Sequence, residues 1–185
     1  MSDQYILQHC SPTLAGLKTA NLFSVVIDED SDINEEIRRL NKLLRGKGLC
    51  AIPVRKTDNN VLIYLYRPDY LKRDLSSPDA VEILEEKGYE CDNANRCIVQ
   101  LIEHLSKDGS FPHEIGLFLG YPPCDVRGFM NSPKKGVKCS GVWKVYGNKE
   151  QAEKTFSRYK KCTEVYCRCY EQGRSLDQLI VKTGA

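Results

Sequence analysis

SFPHEIGLFLGYPPCDVRGFM (residues 110–130), NSPKKGVK (131–138) and CSGVWKVY (139–146) form one continuous stretch, and its reading decides the fold. It gathers one of three histidines, two of nine cysteines, the only tryptophan and four of eight prolines. Pro112 suits the start of a helix with Glu114 in its first turn and an apolar face of Ile115, Leu117, Phe118 and Leu119. Gly120-Tyr121-Pro122-Pro123 breaks that helix. Residues 125–130 read as a further short helix. Residues 137–146 read as a strand, or a pair of strands with Gly141 as a bulge or a tight approach.

Upstream of this stretch the pattern is that of a small α/β scaffold. Tyr5 to His9 is read as a strand or turn, and Ser11-Pro12 as N-cap and first position of a short helix lined by Leu14, Leu17 and Leu22. Residues 22–27 (LFSVVI) form a β-rich apolar run, followed by an acidic turn at 28–32. Ile33, Ile37, Leu40 and Leu44 keep helical spacing over residues 33–45, with Gly46 or Gly48 as the stop. Strands over 49–55 and 61–66 flank Thr57-Asp58-Asn59-Asn60, turn residues that suit a hairpin. One helical turn is expected within 68–75, a helix from Ser77-Pro78 to Lys87, and an amphipathic helix over 92–107 closed by Asp108-Gly109-Ser110.

Downstream, Asn148 caps a long helix that runs to about residue 172 and ends at Gly173, and residues 176–181 form a short helix or tail. The chain thus reads as one domain over residues 1–185, α/β or α+β. It has a small sheet of about four to five strands including a hairpin, covered by helices, with a long C-terminal helix.

The 185 residues suffice for one proper core, and 41% hydrophobic with 28% charged residues is ordinary globular composition. No apolar run approaches the ~20 residues of a membrane span. MSDQYILQHC has no basic n-region and no long apolar stretch, so a secretory signal is not read there. An odd number of scattered cysteines then suggests reduced thiols in a cytosolic chain. Residues 133–185 carry 12 Lys/Arg against 5 Asp/Glu, a net of +7, which leaves the first 132 residues at −5. Such asymmetry suits an anionic partner for the basic end or two solvated faces.

Four groups of residues carry candidate chemistry. Cys10, just before the expected N-cap, would feel helix-start amides that favour a thiolate or hold an anion, with His9 beside it and Lys18 about two turns on. The competing reading is a packed cysteine. His113-Glu114 lacks the second histidine of a zinc-protease signature because position 117 is Leu, so an acid/base pair or anion clamp stands against simple capping. Cys162, Cys167 and Cys169 cannot wrap a tetrahedral metal from one helix, and no metal site is read from them. The run from Lys134 to Lys149, with Trp143 and Tyr146, has the charge and stacking groups for RNA, although a net charge of +2 argues against strong nucleic-acid affinity.

HCSPTLAGLKTANLF (9–23), PHEIGLFLGYPPCDVRGFM (112–130), GVWKVYG (141–147) and RYKKCTEVYCRCYEQG (158–173) together resemble a bacterial family common in clostridia and other anaerobic Firmicutes, domain of unknown function thirty-seven ninety-three. The resemblance covers essentially the whole chain. It implies a cytosolic bacterial protein that behaves as one unit, and it implies no activity. From the residues themselves, the expected function is binding of a small anionic or cofactor-like molecule, with thiol chemistry at Cys10 as an option. The expected site comprises Cys10, His113 and Glu114 as catalytic candidates and His9, Lys18, Tyr121, Arg127, Trp143 and Lys144 as ligand contacts, in a hollow between two proline-marked helix starts. The alternative is a non-enzymatic module whose basic aromatic region binds an acidic protein or RNA. No cofactor is named by any motif.

Overall fold

Val61, Ile63 and Leu65 alternate with Leu62, Tyr64 and Tyr66, and this apolar run forms the central strand of a three-stranded antiparallel sheet in the computed structural model. Residues 1–27, 32–107 and 111–182 are described; most of the expected turn at 28–32 and the expected helix end at 108–110 lie outside them. The strands are β1 (Ala20–Val26), β2 (Cys50–Lys56), β3 (Asn60–Tyr66), β4 (Cys139–Ser140) and β5 (Lys144–Val145). The helices are α1 (Asp3–Leu14), α2 (Ile33–Leu44), α3 (Pro68–Leu75), α4 (Pro78–Glu86), α5 (Ala94–Ser106), α6 (Ile115–Phe118), α7 (Pro123–Asn131), α8 (Lys149–Glu171) and α9 (Leu176–Leu179). The architecture is α+β: one sheet in the order β1-β3-β2, a separate β4–β5 hairpin, and helices. Two compact units divide the chain, Met1–Asp69 with Tyr159–Ala185, and Tyr70–Arg158.

In the first unit, side chains two apart on β3 share a face, so Val61, Ile63 and Leu65 enter one core with residues of α1 and α2. Leu7, Leu14, Leu44, Ile63 and Leu65 are wholly enclosed there, each contributing about 2 kcal/mol by burial. Pro53 sits on the edge strand β2, beside the register shift between Pro53 and Arg55, where its missing N–H costs no ladder bond. Asn41 of α2 satisfies the same strand from its open side. Its amide donates to the Ala51 carbonyl at 2.8 Å and accepts from the Ala51 N–H at 2.9 Å.

The N-terminal expectation is corrected. Residues 5–9 are helical, and Ser11-Pro12 lies in the last turn of α1 rather than opening a helix. Ser2 caps α1 by accepting from the Tyr5 N–H, and the spacing of Ile6, Leu7, Cys10 and Leu14 buries one face. The C-terminal carbonyls of α1 meet a buried guanidinium: Arg67 donates from Nε to Thr13 O at 2.7 Å and from Nη2 to Leu14 O at 2.8 Å. Its Nη2 also donates to Val181 O at 2.8 Å, so the segment after α9 is tied to the same point.

In the second unit, α4 packs on α7, α7 packs on α6, and α7 also packs on β5. Ile83, Leu84, Leu101, Leu117, Phe118 and Val145 are buried in this unit. The helix expected from Pro112 is shorter than the pattern suggests: 113–114 form a turn, and α6 spans only Ile115–Phe118 before Gly120 takes a left-handed φ of 75°. The strand expected over 137–146 resolves into the β4–β5 hairpin, joined through Gly141.

Candidate functional site

Pro122 and Pro123 start α7 with a fixed φ, and that start places Asp125, Gly128 and Phe129 on neighbouring positions of one helix face. Asp125 is buried at 3% exposure, and its carboxylate is hydrogen-bonded by the segment that carries β5. Its Oδ2 accepts from the Trp143 indole Nε1 at 2.7 Å, while its Oδ1 accepts from the Tyr146 and Gly147 amides, each at 2.7 Å. Three charge-assisted bonds to one carboxylate, each contributing about 1.5–3 kcal/mol, pin residues 143–147 to the helix. One turn along, a Cβ on Gly128 would overlap the Tyr146 ring, so glycine is what lets the hairpin seat.

This clamp sets the orientation of Trp143. The indole stacks on Tyr121 with ring centres 4.8 Å apart and planes at 27°, and it meets Phe156 of α8 edge-on at 4.6 Å. Tyr121, Trp143, Phe111 and Phe129 wall a cavity of about 390 Å³. Ile115, Gly116 and Val126 complete its apolar lining, and a Cβ on Gly116 would come within 2.8 Å of the Val126 side chain and 3.2 Å of Tyr121. The volume falls in the range of small-molecule sites, roughly 300–1,000 Å³.

The polar lining is sparse. Asp125 contributes a carboxylate whose oxygens are already engaged. His113 is exposed, with its ring edge-on to Phe129 at 4.9 Å and 86°. Lys144 is exposed too; its Nζ donates to the Pro133 carbonyl at 3.0 Å and stands 5.3 Å from the Phe129 ring centre. Four residues singled out from the sequence therefore line this cavity: His113, Tyr121, Trp143 and Lys144.

The others lie elsewhere. Glu114 is buried beside the cavity's lining residues but faces away from it. Its Oε1 accepts from the Tyr89 hydroxyl at 3.0 Å and lies 3.2 Å from His104 Nδ1. Burial, with the Glu114 charge next, pushes the Tyr89 phenol well up. Arg127 forms ion pairs with Glu82 at 3.1 Å and with Glu86, outside the aromatic cavity.

Cys10, His9 and Lys18 belong to the first unit. The helix-start setting expected for Cys10 is corrected: it lies in the interior of α1, with no free amides to act on it, and is wholly buried. Burial drives its thiol well above the ordinary range despite the opposing charge of Lys18. Lys18 is buried as well, and its ammonium is pulled down to about 8, chiefly by desolvation. His9 is exposed on α1, its ring 4.4 Å from Tyr5 and stacked at 6.0 Å on Phe23. Among the described residues no group of three or more His, Cys, Asp or Glu is placed to hold a metal ion, and no helix is long and apolar enough to cross a membrane.

Sequence reasoning missed Asp125, Phe111 and Phe129. An acid in the first turn of a proline-started helix was visible, but its partners lie 18, 21 and 22 residues further on. A family model described as "Protein of unknown function (DUF3793)" matches residues 6–180. No curated protein and no solved structure matches the chain.

Proposed function

Since the chain belongs to the DUF3793 family, whose description names no activity, we propose its function from the site itself: it binds a small molecule in the aromatic cavity of the second unit. The observation that carries this reading is the Asp125 clamp. A buried carboxylate holds one indole and two amides, and what that holds in place is the wall of a cavity. Preorganised aromatic walls lower the ordering cost of binding. Thiol chemistry at Cys10 is not part of the proposal, because a buried, protonated thiol in a helix interior is a poor nucleophile.

The alternative, a basic aromatic surface for RNA or an acidic protein, has weaker support. Trp143 already spends one ring face on Tyr121 and its N–H on Asp125, which leaves it poorly placed as a stacking platform.

Trp143 is the only tryptophan, so its emission reports on the cavity wall alone. A fragment collection is screened by tryptophan emission and by thermal shift. The reading expects saturable binders that change both, with the response weakened in F111A and F129A variants whose circular dichroism is unchanged. A collection in which no fragment alters Trp143 emission, or in which binders respond equally in both variants, overturns it.

A further inference from the structure

We infer that the cavity is selective for a flat aromatic molecule carrying one anionic group, such as an arene carboxylate, with its ring among the aromatic walls and its charge at Lys144 and His113; this rests on the cavity reading above. Shape supplies the first half of the argument. Phe111, Tyr121, Phe129 and Trp143 surround the cavity with four aromatic rings, two of them locked together by the Tyr121–Trp143 stack, and an aromatic ring is the ligand group that meets such walls best in offset or edge-on contact.

Charge supplies the second half. An aromatic cage can also hold a quaternary ammonium group, so the sign of the ligand has to be decided by what else lines the site. Among the described residues the one lining carboxylate, Asp125, is turned toward three N–H donors of the 143–147 segment, which stabilise its charge within the wall. Among the described residues the one lining ammonium, Lys144, donates to Pro133 O, which leaves further N–H donors of its three, and that tether holds it beside the Phe129 ring. A cationic ligand entering beside Phe129 would meet that charge, whereas an anionic one would pair with it. The exposed His113 ring, edge-on to the same phenylalanine and also lining the cavity, offers a second polar group. The surrounding chain agrees: residues 126–149 contain Arg127, Lys134, Lys135, Lys138, Lys144 and Lys149 and no acidic residue.

The test compares three probes of similar shape by isothermal titration at low and high salt: 2-naphthoate, neutral 2-naphthylmethanol and cationic 2-naphthylmethylammonium. Naphthoate is expected to bind roughly tenfold more tightly than the alcohol, as a charge-assisted bond requires, and the ammonium compound most weakly. Added salt and the exposed-site variant K144Q should each bring the naphthoate-to-alcohol ratio toward one, while H113Q lowers it in part. If the alcohol or the ammonium compound binds as tightly as naphthoate, the charge assignment is wrong and the cavity reading stands. If none of the three binds but other fragments shift Trp143 emission, the ligand class is wrong and the cavity reading again stands. Only a cavity that binds nothing removes both.

Discussion

The Trp143 indole donates to Asp125 at 2.7 Å, and the same carboxylate takes the Tyr146 and Gly147 amides at 2.7 Å each. One side chain thus joins helix, hairpin and cavity wall. Replacing Asp125 with Asn removes the charge and turns one acceptor into a donor that faces another N–H. The expected cost is about 2–4 kcal/mol of stability. A thermal melt reads the loss, and a red shift of Trp143 emission shows where it falls. An unchanged emission maximum with a lowered melting point would mean the clamp does not orient the indole.

Close approach to glycine makes the second prediction. A Cβ at 128 would overlap the Tyr146 ring, and one at 141 would overlap the Phe156 ring, whereas one at 46 meets nothing within 4 Å. Gly128→Ala and Gly141→Ala should each lose about 1–3 kcal/mol through forced repacking. Gly46→Ala should be neutral or stabilising by up to about 1 kcal/mol, because it restricts the unfolded chain without strain. Denaturant midpoints of the three variants check the ranking.

Where periodicity is clean, the sequence was legible. Ile33, Ile37, Leu40 and Leu44 set α2 to within a residue of its end, and Gly173 stops α8 in a left-handed φ of 93°. The 57–60 turn joins β2 to β3 as the hairpin signal requires. At the N-terminus Ser11-Pro12 imitated a helix start. The actual cap is Ser2, and Pro12 sits in the last turn of the helix, where it forgoes one bond, to the Gln8 carbonyl. The cavity was half legible. Aromatic and basic residues crowded into 110–146 pointed to His113, Tyr121, Trp143 and Lys144, but nothing local distinguishes Asp125, whose role exists only once residues 143–147 fold back on it.

Thiol accessibility separates packing cysteines from exposed ones. All nine cysteines are free; Cys10 is wholly buried, and Cys124 is exposed beside Asp125. Burial raises both thiols, far more at Cys10, where nothing is open to a reagent. Iodoacetamide treatment of the native protein at about pH 9, where more of an exposed thiol is ionised, followed by peptide mass spectrometry, should label Cys124 and leave Cys10 unmodified until denaturant is added. Rapid labelling of Cys10 in the native state would contradict its place in the α1 core.

Lys18 gives stability a pH dependence of unusual sign. Its ammonium falls from an ordinary 10.5 to about 8 in the folded chain, chiefly by desolvation. Between those values the unfolded chain binds the proton and the folded one does not, so stability rises with pH through this window; the penalty is fully present below about pH 8. Its size is on the order of 3 kcal/mol. Buried thiols and phenols act in the opposite sense. Burial raises Cys162 from 9.0 to about 11, and burial with the charges of its neighbours raises Tyr166 from 10.0 to about 12. Stability held by these groups is present below pH 9 and is lost as pH climbs through their folded values. The wild-type curve should therefore peak between about pH 8 and 9 and fall steeply on the alkaline side. In Lys18→Met the rise toward that peak should disappear while the alkaline fall remains. Urea denaturation from pH 7 to 10.5, wild type against variant, isolates the lysine: parallel curves would place the Lys18 ammonium in water-like surroundings, contrary to its burial.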